Sequence, residues 1–201
     1  MTTTIARPDR QGNERRGPLD DDAPSATSPP APSGWLAALR LGMGFLFLWA
    51  FADKLFGLGY STPSERAWLN GGSPTKGFLG SLDAGPLAGV FRAIAGDWWV
   101  DWLFMLGLVG IGAALVLGVA MRLAAGSGAL LMALMWLAEW HPARFTSAGE
   151  PTGSTNPLVD YHLIYGVVLI VLAVTAAGDR WGLGRAWKRL RFVRRHRGVV
   201  S

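Results

Sequence analysis

The chain carries four apolar runs, each close to the length of a membrane span: about Trp35 to Leu58, Trp99 to Val119, Ala124 to Trp140 and Leu158 to Ala177. A helix rising 1.5 Å per residue needs about 20 residues to cross a ~30 Å hydrocarbon core. No water reaches the backbone there, so each run must close its hydrogen bonds internally and fold as a helix. The expected architecture is therefore all-α, an integral membrane four-helix bundle over residues 34–178. Only 16% of the residues are charged, against about 25% in a soluble domain, and the charge lies almost wholly outside the apolar runs.

The flanks set the orientation. Residues 1–33 are rich in Pro, Thr, Ser, Asp and Arg, with Asp20, Asp21 and Asp22 in a row. They cannot bury enough apolar surface to offset the entropy of ordering and are expected to be a disordered tail. Arg15 and Arg16 look like a twin-arginine pair, but Gly17, Pro18, Leu19 and Asp20 follow in place of a hydrophobic stretch. A targeting peptide is therefore not read here. Residues 179–201 hold Arg180, Arg185, Lys188, Arg189, Arg191, Arg194, Arg195 and Arg197 against Asp179, and the turn between the second and third runs adds Arg122. In the loop over 59–98, Arg66, Lys76 and Arg92 are balanced by Glu65, Asp83 and Asp97, and in the last loop Arg144 faces Glu150. An even number of spans with this basic bias gives N-in, C-in: a multi-pass protein of the cell membrane with both termini cytoplasmic.

The basic tail, with Trp181 and Trp187 among its arginines, reads as an interfacial segment on anionic lipid headgroups, each charge contributing roughly 1 kcal/mol. Recruitment of a soluble partner is the other reading of such a cluster. The net charge of +5 does not point to nucleic acid, because the basic residues are not interleaved with side chains that read bases. The chain has no cysteine, which excludes disulfides, thiolate metal sites, iron–sulfur clusters and thiol chemistry of its own.

Packing signals are also present. Gly110, Ala114 and Gly118 repeat every fourth residue on the second run, as do Ala125, Ala129 and Ala133 on the third. Small-residue stripes of this kind let membrane helices approach closely. In the long outer loop, Leu87, Val90, Phe91 and Ile94 follow Pro86 at helical spacing and predict a short amphipathic helix. Trp98, Trp99 and Trp102 then form either a headgroup belt or the roof of a cavity between the spans.

Ionisable groups within spans are costly and mark function or helix contacts. Arg40 and Lys54 share the first run, within about 40° of one face and ~21 Å apart along the axis. Arg40 falls near the cytoplasmic end, where snorkelling or structural pairing suits it. Asp53, Lys54, Asp101, Glu139, His141, Asp160, Tyr161 and His162 all fall at the outer level. They are either end-of-helix groups meeting headgroups and water or a converging site. Imidazole beside carboxylates exchanges protons near neutral pH. Lys54 with His141 and Arg144 would attract a small anion. A quinone ring would fit between helices lined by Trp, Phe, Met and small residues, with a His or Tyr at its carbonyl. No metal is expected, because His141 and His162 lie on different helices and no histidine pair has helical ligand spacing.

Several runs resemble the DoxX/DoxD family of four-helix membrane proteins: WVDWLFMLGLVGIG from Trp99 to Gly112, continuing through Gly118 to Arg122; Arg40 with Asp53, Lys54 and Leu55; NPLVDYH from Asn156 to His162; and WGLGR from Trp181 to Arg185. The resemblance covers about Trp35 to Leu190, and the long first outer loop is similar to the DoxD-like branch. It implies the membrane subunit of a thiosulfate:quinone oxidoreductase, which oxidises thiosulfate to tetrathionate outside and passes electrons to menaquinone or ubiquinone, working with a second subunit. On that reading the candidate catalytic residues are Lys54, His162 and Asp160. The candidate substrate-binding residues are Arg40, Asp53, His141, Glu139, Tyr161 and Trp102. The alternative is a non-catalytic membrane scaffold that recruits a soluble redox partner through its tail, and either form could be a homo-oligomer.

Overall fold

The computed structural model describes residues 34–196, where every regular element is helical apart from one isolated bridge between Phe145 and Pro151. The disordered tail expected over 1–33 and the end of the basic tail from Arg197 lie outside the described residues. The helices are α1 (Gly34–Phe56), α2 (Lys76–Gly80), α3 (Ala88–Ala93), α4 (Trp98–Leu117), α5 (Met121–Glu139), α6 (Tyr161–Val174), α7 (Gly184–Trp187) and α8 (Arg191–Arg195).

Backbone chemistry sets their limits. Gly57, at φ +66°, ends α1 by turning into the left-handed region that lacks a steric penalty only for glycine. Gly118 does the same for α4 at φ +70°, its N–H returning to the Leu115 carbonyl. α1, α4 and α5 are long and apolar enough to cross a membrane. The fourth apolar run differs from expectation: α6 has 14 residues, about 21 Å of helix, where the sequence suggested a span from Leu158 to Ala177. The polar turn at Asn156 and the cap at Asp160 hold Leu158 and Val159 outside the helix, and Ala176, at φ +50°, closes its other end. Phe45, Leu103, Leu106, Leu130, Val167 and Ile170 are all exposed, an outward apolar surface that suits lipid. The chain has the make-up of a multi-span membrane helical bundle.

α1 packs along α4 and α5 along α6, each pair antiparallel, with α4 against α5 joining the pairs. Met43, Phe47, Met105, Leu108, Ile111, Leu115, Leu169 and Leu172 form the core between them. α1 and α4 approach closely where each carries a glycine. A Cβ on Gly44 would lie 3.0 Å from the Val116 amide nitrogen, and one on Gly112 would lie 3.0 Å from the Leu48 nitrogen. The expected stripe through Gly110 is not the contact, since nothing lies within 4 Å of a Cβ built there. The used face is that of Leu108, Ile111, Gly112 and Leu115. On α5, Gly128 meets Leu169, while Ala133 is exposed.

The loop between α1 and α4 folds onto one end of the bundle. Leu79, Leu82 and Ala88 join Val100 of α4 and Ala138 of α5 in a second small core, with Phe91 and Ile94 packed on it. The helix expected after Pro86 is thus present but brief, and Leu87 and Val90 stay exposed. Alternating helix direction places the C-terminal ends of α1 and α5 and the N-terminal ends of α4 and α6 at this end, hereafter the histidine end. Arg40 and the segment from Ala177 to Arg195 lie at the opposite, arginine end.

Candidate functional site

The site is built on the α5–α6 hairpin. Trp140 closes α5 in the left-handed region at φ +43°, turning His141 back across the helix end beside Glu139. The chain returns to α6 through a turn organised by Asn156. Its Oδ1 accepts from the Leu158 and Val159 amides at 3.0 and 2.6 Å, and its Nδ2 donates to the Val159 carbonyl. Trp136 Nε1 donates to the Leu158 carbonyl at 2.9 Å, pinning the turn to α5. Asp160 follows in extended conformation as the N-cap of α6, its Oδ1 accepting from the Leu163 amide at 3.0 Å. A carboxylate here satisfies an otherwise orphaned N–H and meets the positive end of the helix dipole.

The second oxygen of each carboxylate faces the histidines. Asp160 Oδ2 lies 2.6 Å from His162 Nδ1 and 3.6 Å from His141 Nδ1. Glu139 Oε2 lies 3.9 Å from His162 Nδ1 and 3.8 Å from His141 Nε2, while its Oε1 accepts from the Tyr161 hydroxyl at 3.0 Å. The His162 and Asp160 side chains are each only 3% exposed. His141 Nδ1 is shielded from solvent and has no hydrogen-bond partner. The ligating atoms of Glu139, Asp160 and His162 lie within 4.8 Å of one another. A cleft of about 460 Å³ opens beside the group, walled by Glu139, Trp140, His141, Thr152, Ser154, Val159, Asp160 and Tyr161. Such a set can exchange protons or hold a cation. The sequence argument against a metal rested on spacing along one helix, and the hairpin supplies the proximity through space instead.

The loop from His141 to Asp160 is held over the cleft by its own polar groups. Ser154 Oγ donates to the His141 carbonyl at 2.6 Å and Thr152 Oγ1 to the Ala143 carbonyl at 2.7 Å. Asp83, from the first loop, accepts from the Ser147 amide and hydroxyl at 2.7 and 2.5 Å. These two donors hold the Asp83 carboxyl below the usual carboxylate range.

Glu139, His141, Asp160, Tyr161 and His162 therefore come together as the sequence suggested, and the other candidates do not join them. Lys54 Nζ lies 3.4 Å from Ser61 Oγ, and among the described residues it makes no ion pair within 4 Å. Asp53 is buried and accepts from the Tyr60 amide and from the Ser61 amide and hydroxyl, tying down the turn after α1. Asp101 is held in the same manner by Ser73 and Thr75. Trp102 packs edge-on against Trp68, ring centroids 4.8 Å apart. Arg40 sits at the arginine end, fully buried. Its Nη1 donates to the Leu115 and Val116 carbonyls and its Nη2 to those of Arg180 and Trp181. Lys54 and His141 thus form no joint anion site. Thr152, Ser154 and Asn156 were missed as site-building residues; the Asn156–Pro157 turn was the one signal that could have found them. No family model, curated protein or solved structure matches this chain.

Proposed function

We propose that the chain is a DoxX/DoxD-like membrane subunit of a quinone-reducing oxidoreductase, in which the histidine end supplies protons to the reduced acceptor. The observation that carries this reading is the buried His162–Asp160 pair at 2.6 Å, extended through Glu139 to Tyr161 and bordered by the cleft. An imidazole flanked by carboxylates has the geometry of a proton relay.

The residues fit a quinone headgroup. The Tyr161 phenol is half-exposed at the rim of the cleft, and Trp140 and Val159 offer apolar faces. A bound quinone would supply two-electron acceptor chemistry. Tyr161 would orient it, and the His162–Asp160 pair would hold the proton at Nδ1 and refill it from the polar cleft.

The resemblance supplies the donor. Two thiosulfates lose one electron each and join through a new S–S bond as tetrathionate, and those two electrons with two protons reduce quinone to quinol. A thiosulfate dianion would meet two carboxylates at this cluster and be repelled, so the donor is oxidised elsewhere, on the second subunit that the resemblance implies. Four spans with both termini cytoplasmic put the histidine end outside, on the side of that donor, and put Arg185, Arg189, Arg191, Arg194 and Arg195 at anionic headgroups.

The test is thiosulfate-dependent reduction of a menaquinone analogue by membranes containing the chain and any protein that copurifies with it. His162→Ala should abolish turnover with normal insertion, and unchanged turnover would sink the assignment. The scaffold reading draws on the exposed arginines of α8. Deleting residues 189–201 should release a soluble redox partner if that reading is right.

A further inference from the structure

We propose that Glu139, Asp160 and His162, with His141 beside them, bind one divalent first-row transition cation. The ligating atoms come from the end of α5, the cap of α6 and its second residue, and converge within 4.8 Å of one another. A tetrahedral ion with bonds of about 2.1 Å holds its ligand atoms ~3.4 Å apart. The separations of 3.6 Å from His141 Nδ1 to Asp160 Oδ2 and 3.9 Å from His162 Nδ1 to Glu139 Oε2 are already near that edge. The His162–Asp160 contact at 2.6 Å must open, by roughly 0.8 Å, exchanging a hydrogen bond for two metal bonds, while the wider separations close toward the ion.

Two further features point to an ion. Each carboxylate spends one oxygen on a fixed donor and turns the other inward. Tyr161 Oη holds Glu139 Oε1 and the Leu163 amide holds Asp160 Oδ1, leaving Oε2 and Oδ2 toward the histidines. This is the outer-shell pattern that orients metal ligands. Separately, His141 Nδ1 is shielded from solvent without a hydrogen-bond partner, so an ion at the centre would give a desolvated nitrogen the short-range interaction it lacks. Charge selects the sign: two carboxylates balance a dication, whereas an anion would add a third negative charge. A mixed imidazole–carboxylate set suits Zn²⁺, Fe²⁺ or Mn²⁺ over Ca²⁺ or Mg²⁺, which favour all-oxygen shells, and over Cu⁺, which favours sulfur. The cleft provides the entry path.

The inference does not depend on quinone chemistry and is tested without donor or acceptor. The untagged full-length protein in detergent is stripped with a chelator and titrated with Co²⁺, read by its visible d–d absorption, and with Zn²⁺, read by the shift in melting temperature. One ion per chain is expected, with both signals saturating together. Glu139→Gln and His162→Ala should each weaken Co²⁺ binding by at least the roughly 10–100-fold typical of outer-shell changes. Tyr161→Phe keeps all ligands and should weaken it by roughly 10-fold, which covers the case in which a ligand variant fails to fold. Absence of saturable binding, or equal binding by the Glu139→Gln, His162→Ala double variant, would overturn the site.

Discussion

Replacing Arg40 separates a structural from a substrate-binding role. The guanidinium is buried among the Leu115, Val116, Arg180 and Trp181 carbonyls, two on each terminal nitrogen. The first pair belongs to the last turn of α4, where the Gly118 amide also returns to the Leu115 carbonyl and the dipole favours a cation. Hydrogen bonds to a charged group contribute about 1.5–3 kcal/mol each, and carbonyls sharing a nitrogen do not add, so one full bond per nitrogen gives roughly 3–6 kcal/mol. Arg40→Leu also removes the cation's own desolvation cost but leaves the buried carbonyls unsatisfied, a net loss of about 4 kcal/mol. For a chain of this size, that corresponds to a fall of roughly 8–16 °C in melting temperature. Arg40→Lys retains the charge but serves one side of the fork only, and should recover about half. The assay is thermal unfolding of the full-length protein in detergent, followed by the fluorescence of its ten tryptophans. Amide exchange at Leu183, which donates to the Leu117 carbonyl at 2.7 Å, should accelerate in parallel. An Arg40→Leu protein that melts with the parent while losing substrate affinity would refute the reasoning and return Arg40 to the binding site.

Other perturbations probe packing and loops. Gly112→Ala drives a Cβ to 2.7 Å from Leu48 Cγ and should destabilise the α1–α4 contact by about 1–3 kcal/mol; Gly110→Ala, in open space, should leave the melting temperature unchanged. Asp53→Ala removes the acceptor for Tyr60 and Ser61, and exchange of those two amides should speed up while α5 and α6 are unaffected. The depressed Asp83 carboxyl makes its tie to Ser147 present above the unfolded Asp value near pH 3.9 and lost as pH falls through its lower folded value. Protection of the Ser147 amide should therefore drop only in strong acid, and Asp83→Asn should abolish that pH dependence.

Much of the helical layout is readable from the sequence because lipid-length apolar runs admit one backbone solution. α1 and α4 fall within a few residues of the runs that predict them. The ends are less legible where a polar side chain decides them. Asp160 caps α6 two residues into its apolar run, and the Asn156 turn keeps Leu158 and Val159 out of the helix, although both are as apolar as the helix that follows. The contact face of α4 was misread for a related reason. Gly110 and Gly112 are equally small, and the choice between them depends on where Leu108, Ile111 and Leu115 find their partners on other helices.

The site shows a sharper limit. Asp53, Asp101, Glu139 and Asp160 share one level and one charge, and the sequence offers no ranking among them. Their partners do. Asp53 and Asp101 are satisfied by amide and hydroxyl donors from the loops beyond α1. Those donors do not change charge near neutral pH, so these two carboxylates are locked as structural anchors. Glu139 and Asp160 face imidazoles instead, side chains that can relay a proton or ligate a cation. That second pair is the one the proposed proton and cation chemistry would use. The distinction arises from donors 26 and 28 residues from Asp101 and from a hairpin that folds His141 over Asp160, neither of which has a local signature. The chemistry of this end is therefore decided by which carboxylates the loops leave to the histidines.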